Sequence, residues 1–272
     1  LETYSNVEII KYNRKSNIED LGSAINSSDI IFHLAGTNRS TKDSDFNEDN
    51  INLTETIVKI LESSTEPKKI IFSSSTQAEQ KTIYGSSKFK AEEALNHLSC
   101  NKNITLITLR LTNVFGKWSK PNYNSVVATF CYNVLNDLPL EIHDPNKTLS
   151  LIFIDDLIEN FLQHIKLPLT DKGKKSIKKY NIKLAKLADL VKSFKEEEPL
   201  NGVGKDLIRA VYSTFISFKQ PKDFTSKPII HQDNRGQFSE IIKTASSGQV
   251  SFFTTKPGVT RGGHYHHTKS EK

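Results

Sequence analysis

Residues 69–88, KIIFSSSTQAEQKTIYGSSK, constrain the fold more than any other stretch. Ile70, Ile71 and Phe72 make a β-branched and aromatic run of the kind that forms a strand buried on both faces, and it empties into Ser73, Ser74 and Ser75. Ligands in open α/β sheets sit beyond the carboxyl ends of the strands, so function is expected there. Tyr84 and Lys88 follow, four residues apart. They open a segment whose apolar positions (Phe89, Ala91, Leu95, Leu98) and charged positions (Lys90, Glu92, Glu93) suit an amphipathic helix. The spacing puts a phenol and an ammonium on one helix face. An undisturbed phenol titrates near about pH 10, so it protonates a carbonyl well only when a nearby cation stabilises its anion. A serine hydroxyl at the strand end can hold the same carbonyl oxygen.

The rest of the composition sets outer bounds. With 272 residues, 36% hydrophobic and 25% charged, the chain can bury a sizeable core as one large or two modest domains. No signal peptide is evident, and no apolar run approaches the ~18 residues of a membrane span, so no membrane partner is expected. Two cysteines, Cys100 and Cys131, make neither a disulfide framework nor a metal pair, which makes a reducing cytoplasm the default location. The net charge of +6 comes from scattered lysines, densest over residues 166–186. Without interleaved aromatics or a nucleic-acid motif this reads as a solvated loop, and nucleic acid is not an expected partner. A mildly basic surface suits an anionic substrate. Met is absent throughout and the pattern begins midway, from which we expect the numbered chain to be incomplete.

Residues 7–12 (VEIIKY) read as a strand followed by Asn13, Arg14 and Lys15. An Arg at the end of the second strand of a dinucleotide fold accommodates a 2′-phosphate, so Arg14 favours NADPH over NADH; a surface Arg in a turn is the competing reading. Ser16 and Glu19 have capping-box spacing and start a short helix through Ile25. Residues 29–35 (DIIFHLA) form another buried strand ending at Gly36. Leu53, Ile57, Ile60 and Leu61 mark a helix leading back to the strand at residue 69. Strand, helix, strand at these lengths is a βαβ unit, giving an α/β class with a doubly wound parallel sheet. Residues 104–111 (ITLITLRL) supply the next strand, and 150–156 (SLIFIDD) a strand running into a helix with Asp155 as its N-cap. Helical stretches at 187–194 and 207–218 suit a small lobe covering the substrate. Residues 219–228, with two prolines, are the best linker, which divides the chain into domains at 1–222 and 226–272.

Strand, serine and Tyr-x-x-x-Lys together resemble the catalytic core of extended short-chain dehydrogenases/reductases that act on sugar nucleotides. The resemblance implies a Rossmann-like fold, with Tyr84 as proton donor and Lys88 as its electrostatic partner and ribose anchor. Ser75 or Ser74 would be the carbonyl hydrogen-bonder. It further implies that Leu34, Ala35 and Gly36 of HLAG lie with Ser73 beside the cofactor. The run RLTNVFGKW resembles the R-x-x-N-x-[YF]-G stretch of that family, where the loop meets the substrate. Arg110 and Asn113 would help to shape the site, with Lys117, Trp118 and Asn122 to Asn124 nearer the sugar or its nucleotide. The family's G-x-x-G-x-x-G loop is not found before Val7.

Past the linker the pattern changes. DNRGQFSE (233–240) and GQVSFFTT (248–255) alternate like strands. In GVTRGGHYHHTKSEK, His264 and His266 project from one strand face, and Glu271 can turn back as a third ligand for a zinc-type divalent ion. The spacing resembles the first motif of the cupin barrel, and DxRGxFxE with GVxRGxHY resembles its sugar-nucleotide 3,5-epimerase branch, in which His264 would be a base rather than a ligand. The strands present would make only an incomplete barrel. The pairing of the two parts, with KPNYNSVVATFCYN and RGGHYHHTKSEK, resembles bifunctional capsular-polysaccharide enzymes. These epimerise a UDP-linked 4-keto-6-deoxy-HexNAc at carbon 3 and reduce carbon 4 with NADPH, and the resemblance implies a homodimer, since both parent folds often pair. A dTDP-4-keto-6-deoxyhexose reductase/epimerase and a non-catalytic, metal-stabilised binding or assembly module are the alternatives.

Overall fold

A computed structural model of the chain describes residues 7–173, 176–196, 205–224, 228–244 and 248–260. Its centre is a parallel sheet of β1 (Ile30–His33), β2 (Lys68–Ser75) and β3 (Ile104–Leu111), with β2 in the middle. Alternation along the strands builds two cores. Ile70 and Phe72 of β2 join Ile104 and Leu106 of β3 on one face, under α1 (Ile18–Ser27), α3 (Leu53–Glu62) and α4 (Ile83–Asn101). Ile71, Ile107 and Leu109 face the other way, toward Phe161 of α6 (Ile154–Lys166). A sheet with helices on both faces is the Rossmann-like arrangement expected, and each fully buried Ile or Phe contributes about 1.5–3 kcal/mol to it.

Two lysines at the start of β2 fasten those helices. Lys68 Nζ donates to the carbonyls of Asn26 and Ser28 at 2.9 and 2.7 Å, at the carboxyl end of α1. Lys69 is fully buried and donates to the carbonyls of His164 and Leu167 at 3.1 and 3.2 Å, at the carboxyl end of α6. Neighbouring strand residues point to opposite faces, so one dipeptide caps a helix in each layer.

A third core joins β4 (Asn113–Phe115), α5 (Val126–Leu135), β5 (Thr148–Phe153), α7 (Leu184–Glu196) and α8 (Asp206–Ile216). Here β4 runs parallel to β5, which pairs antiparallel with β6 (Tyr180–Lys183). After a 3₁₀ turn at Pro221–Phe224, β7 (Ile229–Asp233), β8 (Gly236–Thr244) and β9 (Gly248–Phe253) form an antiparallel sheet. Among the described residues these three strands close no barrel. No helix among them is long and apolar enough to cross a membrane.

Several expectations are corrected. Residues 7–12 form no strand, because none of the described strands lies alongside to share backbone hydrogen bonds; Tyr12 instead packs against the α1/α3/α4 core. The capping box is not made: Asn17 is the N-cap of α1 without a side-chain bond, and Ser16 Oγ accepts from the Asn13 amide in a preceding turn. Asp155 is not an N-cap, since α6 starts directly from β5 with Phe153 at the cap; Asp155 lies in the first turn, where its charge still favours the helix dipole.

Candidate active site

Three consecutive serines at the end of β2 each hold a different part of the site. The carbonyl of Ser73 accepts from Lys88 Nζ at 3.1 Å, and its hydroxyl donates to the His33 carbonyl at 3.3 Å. Ser74 Oγ donates a short hydrogen bond to Glu92. Ser75 Oγ accepts from the Gln77 amide at 3.1 Å and interacts with the Tyr84 phenol. The sequence leaves Ser74 and Ser75 as rivals, and the structure turns Ser75 to the phenol and Ser74 to a carboxylate.

Helix α4 brings the other half. Thr82 caps it by accepting from the Gly85 amide at 3.0 Å, which starts the helix immediately before Tyr84. Tyr84, Lys88 and Glu92 then follow at intervals of four along one helix face. Burial raises the Tyr84 pKa while the Ser75 hydroxyl opposes it, so the phenol carries its proton at neutral pH. Burial lowers Lys88 to about 8, and the Glu92 carboxylate works against that shift. The ammonium lies 5.1 Å from the centroid of the Phe72 ring.

Leu34, Ala35 and Gly36 are exposed at the carboxyl end of β1. Gly36 has φ +152°, and a Cβ there would lie 2.4 Å from Asn50 Oδ1 and 3.0 Å from Lys88 Nζ. Glycine therefore keeps open the space beside the ammonium, a bare backbone edge of the kind a cofactor can approach. Asn50 was not anticipated. It sits in a π-helical turn (Asn47–Asn52) between α2 (Asp43–Phe46) and α3, and its Nδ2 donates to the Thr37 carbonyl and to Ser87 Oγ, each at 2.9 Å. Its buried Oδ1 has no hydrogen-bond partner among the described residues. Insertions of this type concentrate at functional sites; the signal in the sequence was a polar Asn inside the apolar stripe of a helix.

Arg14 lies near this end. Its side chain is 78% exposed, and Nη2 pairs with Asp49 and donates to Thr37 Oγ1 at 2.9 Å. Arg110, expected at the substrate, is committed elsewhere: Nε and Nη2 grip Glu92 at 2.6–3.1 Å, and Nη1 pairs with Glu79 at 2.6 Å. Asn113 Nδ2 donates to the Ser150 carbonyl at 3.0 Å. Lys117 pairs with Asp155 at 3.0 Å. Trp118 and Asn122 both hold positive φ, +62° and +53°, and the Trp118 residue is 83% exposed. Arg39, which was not foreseen, ties this loop to the segment after β1: Nη1 donates to the Tyr123 carbonyl, and the Tyr123 hydroxyl donates to the Arg39 carbonyl at 3.4 Å.

His264, His266 and Glu271 lie outside the described residues. Among the described residues no group of three or more His, Cys, Asp or Glu side chains could hold a metal ion.

Comparison with known proteins agrees with this geometry. Residues 3–182 match the model of the NAD dependent epimerase/dehydratase family, and residues 231–272 match the Polysaccharide biosynthesis C-terminal domain. The chain is 41% identical to UDP-2-acetamido-2,6-beta-L-arabino-hexul-4-ose reductase of Pseudomonas aeruginosa over 270 residues, 98% of this chain and 73% of that protein. The crystal structure of the capsular polysaccharide assembling protein CapF from Staphylococcus aureus superposes with a TM-score of 0.80 at 35% identity, covering 98% of this chain and 74% of that one. UDP-glucuronic acid 4-epimerase from Bacillus cereus, in complex with NAD, shares the fold alone: TM-score 0.59 at 18% identity, over 72% of this chain and 68% of that one. A strand end meeting a Tyr-x-x-x-Lys helix, and a match spanning residues 3–182, lead to one assignment: the chain belongs to the NAD dependent epimerase/dehydratase family.

Proposed function

We propose that the protein reduces the 4-keto group of a UDP-linked 2-acetamido-2,6-dideoxy-hexos-4-ulose with NADPH. The observation that carries this reading is the Ser75 hydroxyl beside the Tyr84 phenol beyond the carboxyl end of β2, with Lys88, one turn farther along the same helix, bonded to the Ser73 carbonyl of that strand end. The 41% identical relative, named as a reductase of a UDP-2-acetamido-2,6-dideoxy-hexulose, supports the substrate class.

The chain's own groups divide the work. Tyr84, kept protonated by its surroundings, gives its proton to the ketone oxygen, and the Ser75 hydroxyl bonds that oxygen as charge develops on it. Lys88, fixed by the Ser73 carbonyl, stabilises the phenolate left behind and reaches the cofactor ribose. A bound nicotinamide supplies hydride to carbon 4. The opening beside Gly36, bordered by Leu34, Ala35 and Ser73, suits that cofactor. The Arg14 guanidinium bonds only through Nη2 among the described residues, which leaves nitrogens for a 2′-phosphate. Lys117, Trp118 and Asn122 face the sugar nucleotide, while Arg110 and Asn113 shape the loop that carries them.

The reading extends to the second domain. Residues 1–222 are the reductase, and residues 226–272 open a cupin domain that epimerises the same sugar at carbon 3, for which the sequence spacing offers His264, His266 and Glu271 as ligands of a divalent ion. Chemistry dictates the order: a 4-keto group acidifies the neighbouring C–H, so epimerisation precedes removal of the ketone.

The test is Tyr84→Phe. On the UDP keto-sugar the variant should oxidise NADPH about 10³-fold more slowly than the wild type, with NADPH binding retained. Oxidation at the normal rate overturns the reading, and preference for the dTDP-linked substrate overturns the assignment of the nucleotide.

A further inference from the structure

Glu92 is 4% exposed, yet nothing in the reduction itself uses it. Its Oε1 accepts from Ser74 Oγ and from Arg110 Nε at 2.9 Å; its Oε2 accepts from Arg110 Nη2 at 2.6 Å and Nε at 3.1 Å. A bidentate guanidinium and a hydroxyl thus join one helix side chain to the ends of two strands, β2 and β3. The attachment falls one turn beyond Lys88 and two beyond Tyr84. Glu79, from the 3₁₀ turn Thr76–Glu79, braces the free side of Arg110.

We infer that Glu92 is a positioning residue for the Tyr84–Lys88 pair: clamped by Ser74 and Arg110, its carboxylate seats α4 against the strand ends and sustains the charge of the Lys88 ammonium. Other groups face that ammonium. His33 of β1 is neutral through the range of interest, its pKa lowered to about 4 by burial and by Lys88 itself. Asn50 is uncharged and Ser73 offers a carbonyl, while Tyr84, one turn earlier on the same helix, holds its proton. Glu92 is therefore the anion that offsets burial at Lys88. The clamp matters because the reduction proposed above relies on Lys88 being charged when the phenol loses its proton.

The experiment follows the Lys88 side chain directly, by the pH dependence of its NMR signal in the purified protein without cofactor or substrate. The wild-type inflection is expected near pH 8. Glu92→Gln keeps the shape and removes the charge, and should move the inflection about one pH unit lower. Arg110→Gln removes the cation that neutralises Glu92, and should move it higher. The alkaline limb of kcat should shift in the same two directions, with KM for NADPH held within about twofold. Arg110 is partly exposed, so the guanidinium freed by Glu92→Gln reaches water; if that variant still fails to fold, the opposite-signed shift in Arg110→Gln decides the matter. An unmoved Lys88 inflection in a folded variant overturns the inference. Because that reading needs no substrate, it stands apart from the proposed reduction: an active wild type with unmoved inflections sinks the clamp alone, and a wild type inactive on keto-sugars sinks the reaction alone.

Discussion

Gly85 of α4 meets the Gln77 backbone so closely that a Cβ would lie 2.2 Å from the Gln77 carbonyl oxygen and 2.6 Å from that of Gln80. The 3₁₀ turn after β2 is thereby pressed onto the first turn of α4, and Ser75, at the head of that turn, comes within reach of Tyr84. Gly85→Ala should force the turn away, because the obstructing atoms are backbone rather than a flexible side chain. We expect kcat to fall at least tenfold and stability to fall by about 1–3 kcal/mol, the usual range for overpacking. Steady-state kinetics with a thermal melt checks this, and an alanine variant of normal activity would place Ser75 outside the reaction.

The serines should separate in the same assay. Ser75 lies at the phenol, so Ser75→Ala should lower kcat about 10²-fold with little change in KM, as loss of one oxyanion donor does elsewhere. Among the described residues the Ser74 hydroxyl bonds only the Glu92 carboxylate, which Arg110 still holds after Ser74→Ala, so that variant should lose no more than about tenfold. Equal losses in both would mean that the two hydroxyls share one role.

What the sequence made legible was local. The run Ile70–Phe72 and the four-residue spacing of Tyr84 and Lys88 are properties of neighbouring residues, and β2 and α4 stand where the periodicities place them. The partners of Arg110 were not legible, because Glu92 and Glu79 lie 18 and 31 residues away and an Arg on a strand end can as easily face a ligand. Nothing in the sequence marks Lys68 and Lys69 as helix caps, and only the helices laid across both faces make them so. The opposite failure occurs at residues 7–12, whose β-branched composition suits a strand but which have no strand alongside among the described residues.

His33 makes stability depend on acidity. Its ring is buried against Phe72, and Nε2 donates to Thr54 Oγ1 at 2.9 Å, since the Thr54 hydroxyl spends its own proton on the Asn50 carbonyl. With a folded pKa of about 4 against 6.5 for a free imidazole, the folded chain binds fewer protons than the unfolded chain between those values. The stabilisation is complete above the unfolded value and drains away as pH falls toward the folded one, about 3 kcal/mol in all. His33→Gln can still donate to Thr54 but does not titrate. Its melting temperature should therefore fall less steeply than the wild type's from pH 6.5 to 4. Parallel melting curves would show that His33 does not control the acid response.

Trp118 holds φ +62° with its side chain almost wholly in solvent, an arrangement that costs about 1–3 kcal/mol for a non-glycine residue and recovers little by burial. The loop is nevertheless pinned at this point, since the Trp118 amide donates to Ser217 Oγ at 3.3 Å and Arg39 grips Tyr123 five residues on. A strained, exposed indole on a tethered loop suits a surface that a planar base covers on binding. Trp118→Asn tests the trade: Asn accepts positive φ more easily, so the variant should melt no lower than the wild type and gain up to about 1 kcal/mol. If the indole contacts the nucleotide, KM for the UDP-sugar should rise about tenfold or more while that for NADPH stays constant, because base stacking on an aromatic ring is worth about 1–3 kcal/mol. A stabilised variant with an unchanged KM would instead make the strain a consequence of how the loop joins β4 to α5, and the substrate would have to be held by Lys117 and Asn122 without it.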